Sequence, residues 1–262
     1  MSAIDDYQRV CEQAARAGGK VLLDWAGRFA VREKGPADLV TEADVAAQDA
    51  IRDVLLGAFP NHGFLAEENL SLPSRDDGYR WIVDPLDGTT NYVHGLPQYA
   101  VSIALEQHGR LKTGVVYNPV TGECYSAAEG RGARLNGQAL RVSQVAELSQ
   151  ALVAVSLPAK VRREDRDIED FLAVMLECQA VRRMGSSALN LCYLAAGRFD
   201  AFWSRSTKAW DIAAGVLIVR EAGGVVSGFD GRELDLNDPR FIAAGAAALH
   251  AQLSGMLCPG TC

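Results

Sequence analysis

Apolar positions recur at helical spacing over residues 4–25, at Tyr7, Val10, Cys11, Ala14, Gly18, Val21, Leu22 and Trp25. Ser2 with Asp5 makes a capping-box pattern before them, and Gly27 is a stop signal. Residues 28–33 alternate as a strand does, and Lys34-Gly35-Pro36 reads as a turn. Thr41 and Asp44 open a second helix, with Ala47, Ile51, Val54 and Leu55 on one face and Pro60 at its end. The pattern then shortens. Residues 63–66 and 81–83 are brief apolar strands that run straight into acids. Residues 99–107, 111–117 and 123–127 are strand-like, separated by Gly109 and Thr121-Gly122, and predict an antiparallel meander. From residue 151 the order is strand, charged helix to about Cys178, strand, helix, strand and helix to about Ala222. Gly223-Gly224, a short strand and a closing helix over 246–257 follow. This order predicts an α+β half over residues 1–147 and an α/β half over residues 148–262, meeting near residues 145–150.

Composition narrows the classes. The chain has 262 residues, 48% hydrophobic and 23% charged, which excludes a disordered polypeptide. Lys plus Arg is 26 against 33 Asp plus Glu, a net charge of −7 that argues against a nucleic-acid partner. A phosphorylated small molecule stays open as a substrate, because bound cations reverse the local sign. The start of the chain is acidic where a signal peptide is basic, and the apolar run Ile212 to Val219 is too short to cross a bilayer. The cytoplasm, free thiols at the six scattered cysteines and no membrane partner are therefore expected.

The chemistry concentrates in Trp81-Ile82-Val83-Asp84-Pro85-Leu86-Asp87-Gly88-Thr89-Thr90-Asn91. A buried strand ends in Asp84, Pro85 forbids continued ladder pairing, and a turn brings Asp87 to the same spot. Two carboxylates that close repel unless a proton or a cation sits between them, and an oxygen-only donor set suits Mg²⁺. The Leu86 carbonyl is a further oxygen, and the Gly88 and Thr89 N–H groups suit a phosphate oxygen. Glu67-Glu68 and Asp211 have the same layout, an acid at the end of an apolar strand or the start of an apolar helix. For each acid taken alone, helix capping or a solvated strand end is the commoner role, and the functional reading rests on their joint occurrence.

Glu67-Glu68, the Asp84–Asn91 block and Trp210-Asp211-Ile212-Ala213-Ala214-Gly215 resemble the signature blocks of the inositol monophosphatase family, in order and spacing. Asp38-Leu39-Val40-Thr41 with Asp44 is similar to its N-terminal block, so the resemblance covers about residues 5–250. It implies a layered α-β-α-β-α sandwich and a Mg²⁺-dependent, lithium-sensitive phosphomonoesterase, usually a homodimer. Carried over, Glu67, Asp84 and the Leu86 carbonyl hold a first ion. Asp84, Asp87 and Asp211 hold a second, and Glu67 with waters a weaker third. Thr89 and Asp44 orient and deprotonate the attacking water, and Lys34 lies on a flap.

Two positions depart from the inositol-reading pattern. Ser204 stands where a glutamate reads ring hydroxyls, and Lys208 replaces a histidine. Gly185, Ser187 and the segment between match the family's small-residue stretch beside the substrate, with Thr90 on the other side and Arg182 and Arg183 just upstream. Inositol monophosphate is the leading substrate, and histidinol phosphate and fructose 1,6-bisphosphate are the alternatives. Two other readings compete. A haloacid-dehalogenase-type phosphatase is disfavoured, because its two aspartates are two residues apart and these are three apart. A regulatory protein that binds RNA or transcription partners has no use for the full acid set.

Overall fold

The computed structural model describes residues 3–28, 31–35 and 38–258. Ser2, Pro36, Cys262 and the Lys34 side chain lie outside the described residues. Helix α1 (Ala3–Trp25) leads through a hairpin of β1 (Val31–Gly35) and β2 (Asp38–Thr41) to α2 (Glu42–Ala58). Next come β3 (Gly63–Ala66), β4 (Ser71–Leu72), β5 (Tyr79–Asp87), α3 (Thr89–Val93), β6 (Ala100–Gln107) and β7 (Arg110–Asn118). Strands β8 (Glu123–Ala128), β9 (Ala133–Leu135) and β10 (Gln138–Ala139) follow. The remainder is β11 (Leu152–Ser156), α4 (Arg166–Glu177), β12 (Ala180–Arg182), α5 (Ser187–Ala195), β13 (Ala201–Ser204) and α6 (Ala209–Glu221). Strands β14 (Val225–Gly228) and β15 (Phe241–Ala244) and helix α7 (Ala247–Leu257) close the chain.

Strands β3 to β10 form one sheet in the order β10-β9-β8-β7-β6-β5-β3-β4, and β11 to β15 a second in the order β12-β11-β13-β15-β14. Alternation along the strands builds the layers. Trp81, Val83, Val101, Ile103, Leu105 and Val115 face Ala14, Leu22, Ile51 and Leu55 of α1 and α2. The intervening residues Ile82, Ala104, Val116 and Tyr125 face the other way, onto α5 and α6. Those two helices also meet Ala154, Phe202 and Ala243 of the second sheet. Its other face, Val153, Val155, Trp203 and Ile242, packs on Val174 of α4 and Leu249 and Leu253 of α7. The result is the expected α-β-α-β-α sandwich. Helices α5 and α6 are apolar around their circumference because a sheet covers each side.

The meander and the later strand–helix alternation match the pattern read from sequence. One central strand was not anticipated: β15 lies between β13 and β14. Its four residues are buried on both faces, so it has no polar alternation to separate it from the closing helix.

Helix α6 lies directly on the backbone of β7. A Cβ added at Gly114 would sit 2.9 Å from Ala214 Cα and 3.1 Å from its carbonyl oxygen. Gly114→Ala should therefore cost about 1–3 kcal/mol by overpacking. Denaturant unfolding measures it, and an unchanged midpoint would mean the helix can shift away freely.

Candidate active site

The site forms where parallel strands of both sheets end. Strand β3 runs parallel to β5, with Ala66 opposite Val83, so Glu67 emerges beside Asp84. The Glu67 N–H donates to the Val83 carbonyl at 3.2 Å. Pro85 does not end the β5 ladder as expected. The strand runs on to Asp87, and the register on β6 slips by one residue, from Asp84 opposite Ser102 to Asp87 opposite Ala100. In a regular strand two residues three apart face opposite ways. The extra residue of the bulge reverses that parity and absorbs a proline that lacks a ladder donor, so both carboxylates face one side. Asp84 then accepts the Leu86 N–H at 2.9 Å.

Three of the acids sit at helix starts. Asp87 accepts the Ser186 hydroxyl, the Ser187 N–H at 3.2 Å and the Ala188 N–H at 2.9 Å, all at the opening of α5. Asp211, in the first turn of α6, accepts the Lys208 N–H at 2.8 Å. Asp44, in the first turn of α2, accepts the Thr41 N–H at 2.8 Å and the Thr41 hydroxyl at 2.5 Å, closing the capping box. Capping and site-building are thus one arrangement rather than competing explanations: the N–H groups and positive ends of three helices hold the acids in place. The other Asp44 oxygen, Oδ1, is buried with no partner.

Electrostatics reflects the crowding. Burial, then Glu67, Asp87 and Asp211, push the Asp84 carboxyl well above the usual carboxylate range. Asp211 is raised in the same way, by burial and then by Asp87. Burial lifts Asp87 to about 6 even though Ser186 and the α5 N–H groups oppose the shift. Asp44 also rises to about 6, again by burial. Buried like charges with only oxygen donors demand a hard cation or protons, so the donor set fits Mg²⁺. Among the described residues no three His, Cys, Asp or Glu side chains close on one point as a cage. Asp84, Asp211 and Asp44 each accept a donor from their own loop or helix start, and Asp87 accepts donors from the start of α5.

Gly88 adopts φ +95°, and a Cβ there would lie 2.8 Å from the Gln98 carbonyl oxygen, so the turn into α3 requires glycine. The Thr89 hydroxyl donates to the Leu86 carbonyl at 3.1 Å. Thr89 and Asp44 therefore do not share a hydrogen bond, and each is held by its own neighbour. The Asn91 amide donates to the carbonyls of Gln98 and Met184, tying α3 to the segment that carries Gly185. Ser102 donates to the Trp210 carbonyl at 3.2 Å and pins the start of α6 to β6.

A cavity of about 350 Å³ opens from Asp211, Thr90 and Asn91 onto the carboxyl ends of β11, β12 and β13. Ligands of α/β sheets bind at such ends. Of the substrate-side positions named from sequence, Thr90, Gly185 and Ser187 line it. Ser204 does not: it is fully buried and holds Ser156 O and Ser206 N. Lys208 is exposed and lines a neighbouring recess with Trp210 and Asn237. Sequence reading missed Ser156 to Ala159, Ser206 and Thr207. Their common signal is position just after or at the end of a strand of one parallel set, which only the sheet order reveals.

Residues 4–258 match the model of the inositol monophosphatase family. The chain is 44% identical over 248 residues to inositol-1-monophosphatase of Mesorhizobium japonicum, 93% of each chain. It is 40% identical over 250 residues to Nus factor SuhB of Pseudomonas aeruginosa, 92% of each. It superposes with TM-score 0.93 at 40% identity on the extragenic suppressor protein suhB from Bartonella henselae, covering 97% of this chain and 99% of that one.

Because the Asp84 charge is disfavoured by burial and by its neighbours, Asp84→Asn should melt at or above the wild-type temperature in EDTA. Scanning calorimetry reads this, and a drop of several degrees would show that the charge stabilises the fold unaided.

Proposed function

The chain belongs to the inositol monophosphatase family, and from that premise we propose that it hydrolyses a small phosphate monoester, with inositol monophosphate the leading substrate, in a Mg²⁺-dependent reaction. The observation that carries this reading is the electrostatic coupling of Glu67, Asp84, Asp87 and Asp211, acids from separate parts of the chain, of which Asp211 lines a polar cavity.

In this proposal Glu67, Asp84 and the Leu86 carbonyl would hold one magnesium ion, Asp84, Asp87 and Asp211 would hold a second, and Glu67 with waters would hold a weaker third. Bound magnesium supplies positive charge that favours an ionised attacking water and neutralises charge on the phosphoryl and leaving oxygens. The chain's own groups do the positioning. The first turn of α3 leaves the N–H groups of Thr89 and Thr90 without helical acceptors, and in this proposal they would hold a phosphate oxygen. Thr89 orients the water through its hydroxyl. Asp44 takes the water's proton at its unpartnered Oδ1. A carboxyl raised to about 6 suits proton uptake near neutral pH. Ser187, Gly185 and Ser206 face the rest of the substrate.

Action as a Nus factor is a second reading, favoured by the 40% identity to the SuhB of Pseudomonas aeruginosa. Hydrolysis leads because a partner-binding role alone has no use for five acids gathered in one site. A net charge of −7 also gives no general basic docking surface.

A coupled phosphate-release assay tests the proposal. Mg²⁺-dependent turnover of inositol 1-phosphate is expected, and Asp87→Asn or Asp211→Asn should lower it by orders of magnitude. Thr89→Ala should lower kcat more than it raises KM. Absence of turnover on every small phosphate ester would refute the enzyme.

The raised carboxyls also set a pH dependence. A group whose folded pKa is raised stabilises the fold fully below its ordinary value near 4 and loses that contribution as pH rises through about 6. Without divalent ions, stability should fall between about pH 4 and pH 7. Mg²⁺ should raise the melting temperature more at pH 7.5 than at pH 5. An equal shift at both values would place the ion away from these acids.

A further inference from the structure

The loop from β13 to α6, residues 205–208, gives the active-site cavity part of its wall through Ser206 and Thr207. It is tied down on both sides of Ser206. The Ser204 hydroxyl donates to the Ser156 carbonyl at 3.1 Å and accepts the Ser206 N–H at 3.2 Å. Thr207 is buried, and its hydroxyl donates to the Pro239 carbonyl at 2.7 Å. Arg205 does not line the cavity. Its Nε donates to Asp170 of α4 at 2.6 Å, its Nη2 donates to the Leu257 carbonyl at the end of α7 at 2.9 Å, and its guanidinium lies 3.8 Å from the centre of the Phe229 ring. One side chain thus joins the loop to two outer helices and to the residue after β14. With both the fork and the face of the guanidinium engaged, the backbone on which Ser206 stands has little freedom.

The hydroxyls of the cavity differ in what they already hold. Ser156 and Ser187 bond to each other at 2.9 Å, and Thr207 holds Pro239. Only the hydroxyls of Thr90 and Ser206 make no hydrogen bond among the described residues. Thr90 stands in the first turn of α3, beside the N–H groups assigned above to a phosphate oxygen. Ser206 is exposed and stands on the other sheet's loop. The position where an acid would read substrate hydroxyls carries Ser204, whose own hydroxyl is engaged within the wall. Ser206 is therefore the free neutral group on that wall, able both to donate and to accept.

We infer that Ser206 reads a hydroxyl on the leaving alcohol of the substrate, and that Arg205, through Asp170 and Leu257, is the positioning residue that holds Ser206 in place. This rests on the phosphatase reading and deepens it. Removing Arg205 does not strand a buried charge, because Asp170 keeps the Arg166 guanidinium at 2.8 Å. The loss falls on the loop, whose cavity side then samples positions in which the Ser206 hydroxyl misses its partner.

The experiment compares inositol 1-phosphate with cyclohexyl phosphate, two esters of the same ring size with and without ring hydroxyls. Wild type should favour the polyol in kcat/KM. Ser206→Ala should lower that ratio about two- to tenfold, the range for a neutral hydrogen bond. The loss should appear in KM for the polyol, with kcat nearly unchanged. Arg205→Gln should lower the ratio in the same way, and Arg205→Lys, which can meet Asp170 but cannot also fork to Leu257, should recover part of it. The double variant should fall no further than Ser206→Ala alone, since both changes remove one contact. No preference in wild type, or a ratio unchanged in Ser206→Ala, overturns the inference. An Arg205→Gln effect that is equal on both esters, or that adds to Ser206→Ala, overturns the positioning role. Calorimetric binding of the same esters separates the inference from the catalytic reading. Tighter binding of the polyol that Ser206→Ala abolishes, without turnover of either ester, supports the inference and overturns the hydrolase. Equal affinities for the two esters overturn the inference whatever the turnover.

Discussion

The structure depends on holding several carboxylates together where they repel. Asp44, Asp87 and Asp211 each meet backbone N–H groups at the start of a helix, α2, α5 and α6 in turn. Each such contact is worth about 0.3–1 kcal/mol at an exposed helix end and up to about 2 kcal/mol when partly buried. Burial opposes them and wins, since Asp44, Asp84, Asp87 and Asp211 all bind protons more readily than ordinary carboxyls. The fold thus concentrates negative charge in one region, which a hard divalent cation or bound protons would relieve.

That region lies where the two sheets approach each other around α5 and α6, and the packing explains why. Asp87 comes from the first sheet and accepts N–H groups at the start of α5, which lies between the two sheets. Asn91 reaches across to Met184, and Ser102 to Trp210. Helices α5 and α6 fill the layer between the sheets, and their apolar circumference lets both N-termini face the same edge. Burial of a shared core thereby sets the spacing of acids that lie up to 127 residues apart in the chain, between Asp84 and Asp211.

The elements with strong periodicity were legible from sequence. Helices α1 and α2, the β6–β8 meander and the strand–helix alternation after residue 151 follow from spacing and punctuation. Strand β15 was not legible, because four buried residues carry no period. The acids at Glu67, Asp84, Asp87 and Asp211 stood out only jointly, because several acids placed at the ends of apolar runs occur together in one chain. Asp44 was legible as a cap, which it is, and its buried, unpartnered oxygen was not.

By itself the sequence determined the composition of the site: which acids, in what order, and with which glycine and threonines after them. Tertiary structure decided orientation. The one-residue slip opposite β6 turned Asp84 and Asp87 to the same side, where the sequence pointed to a turn after Pro85. Sheet order placed Ser156, Arg183 and Ser206 around one cavity and took Ser204 and Lys208 away from it. Local sequence fixes local conformation through φ, capping and alternation. Which strand ends lie side by side depends on how layers bury each other's apolar faces, and residues distant in the chain share that information only once the core has formed.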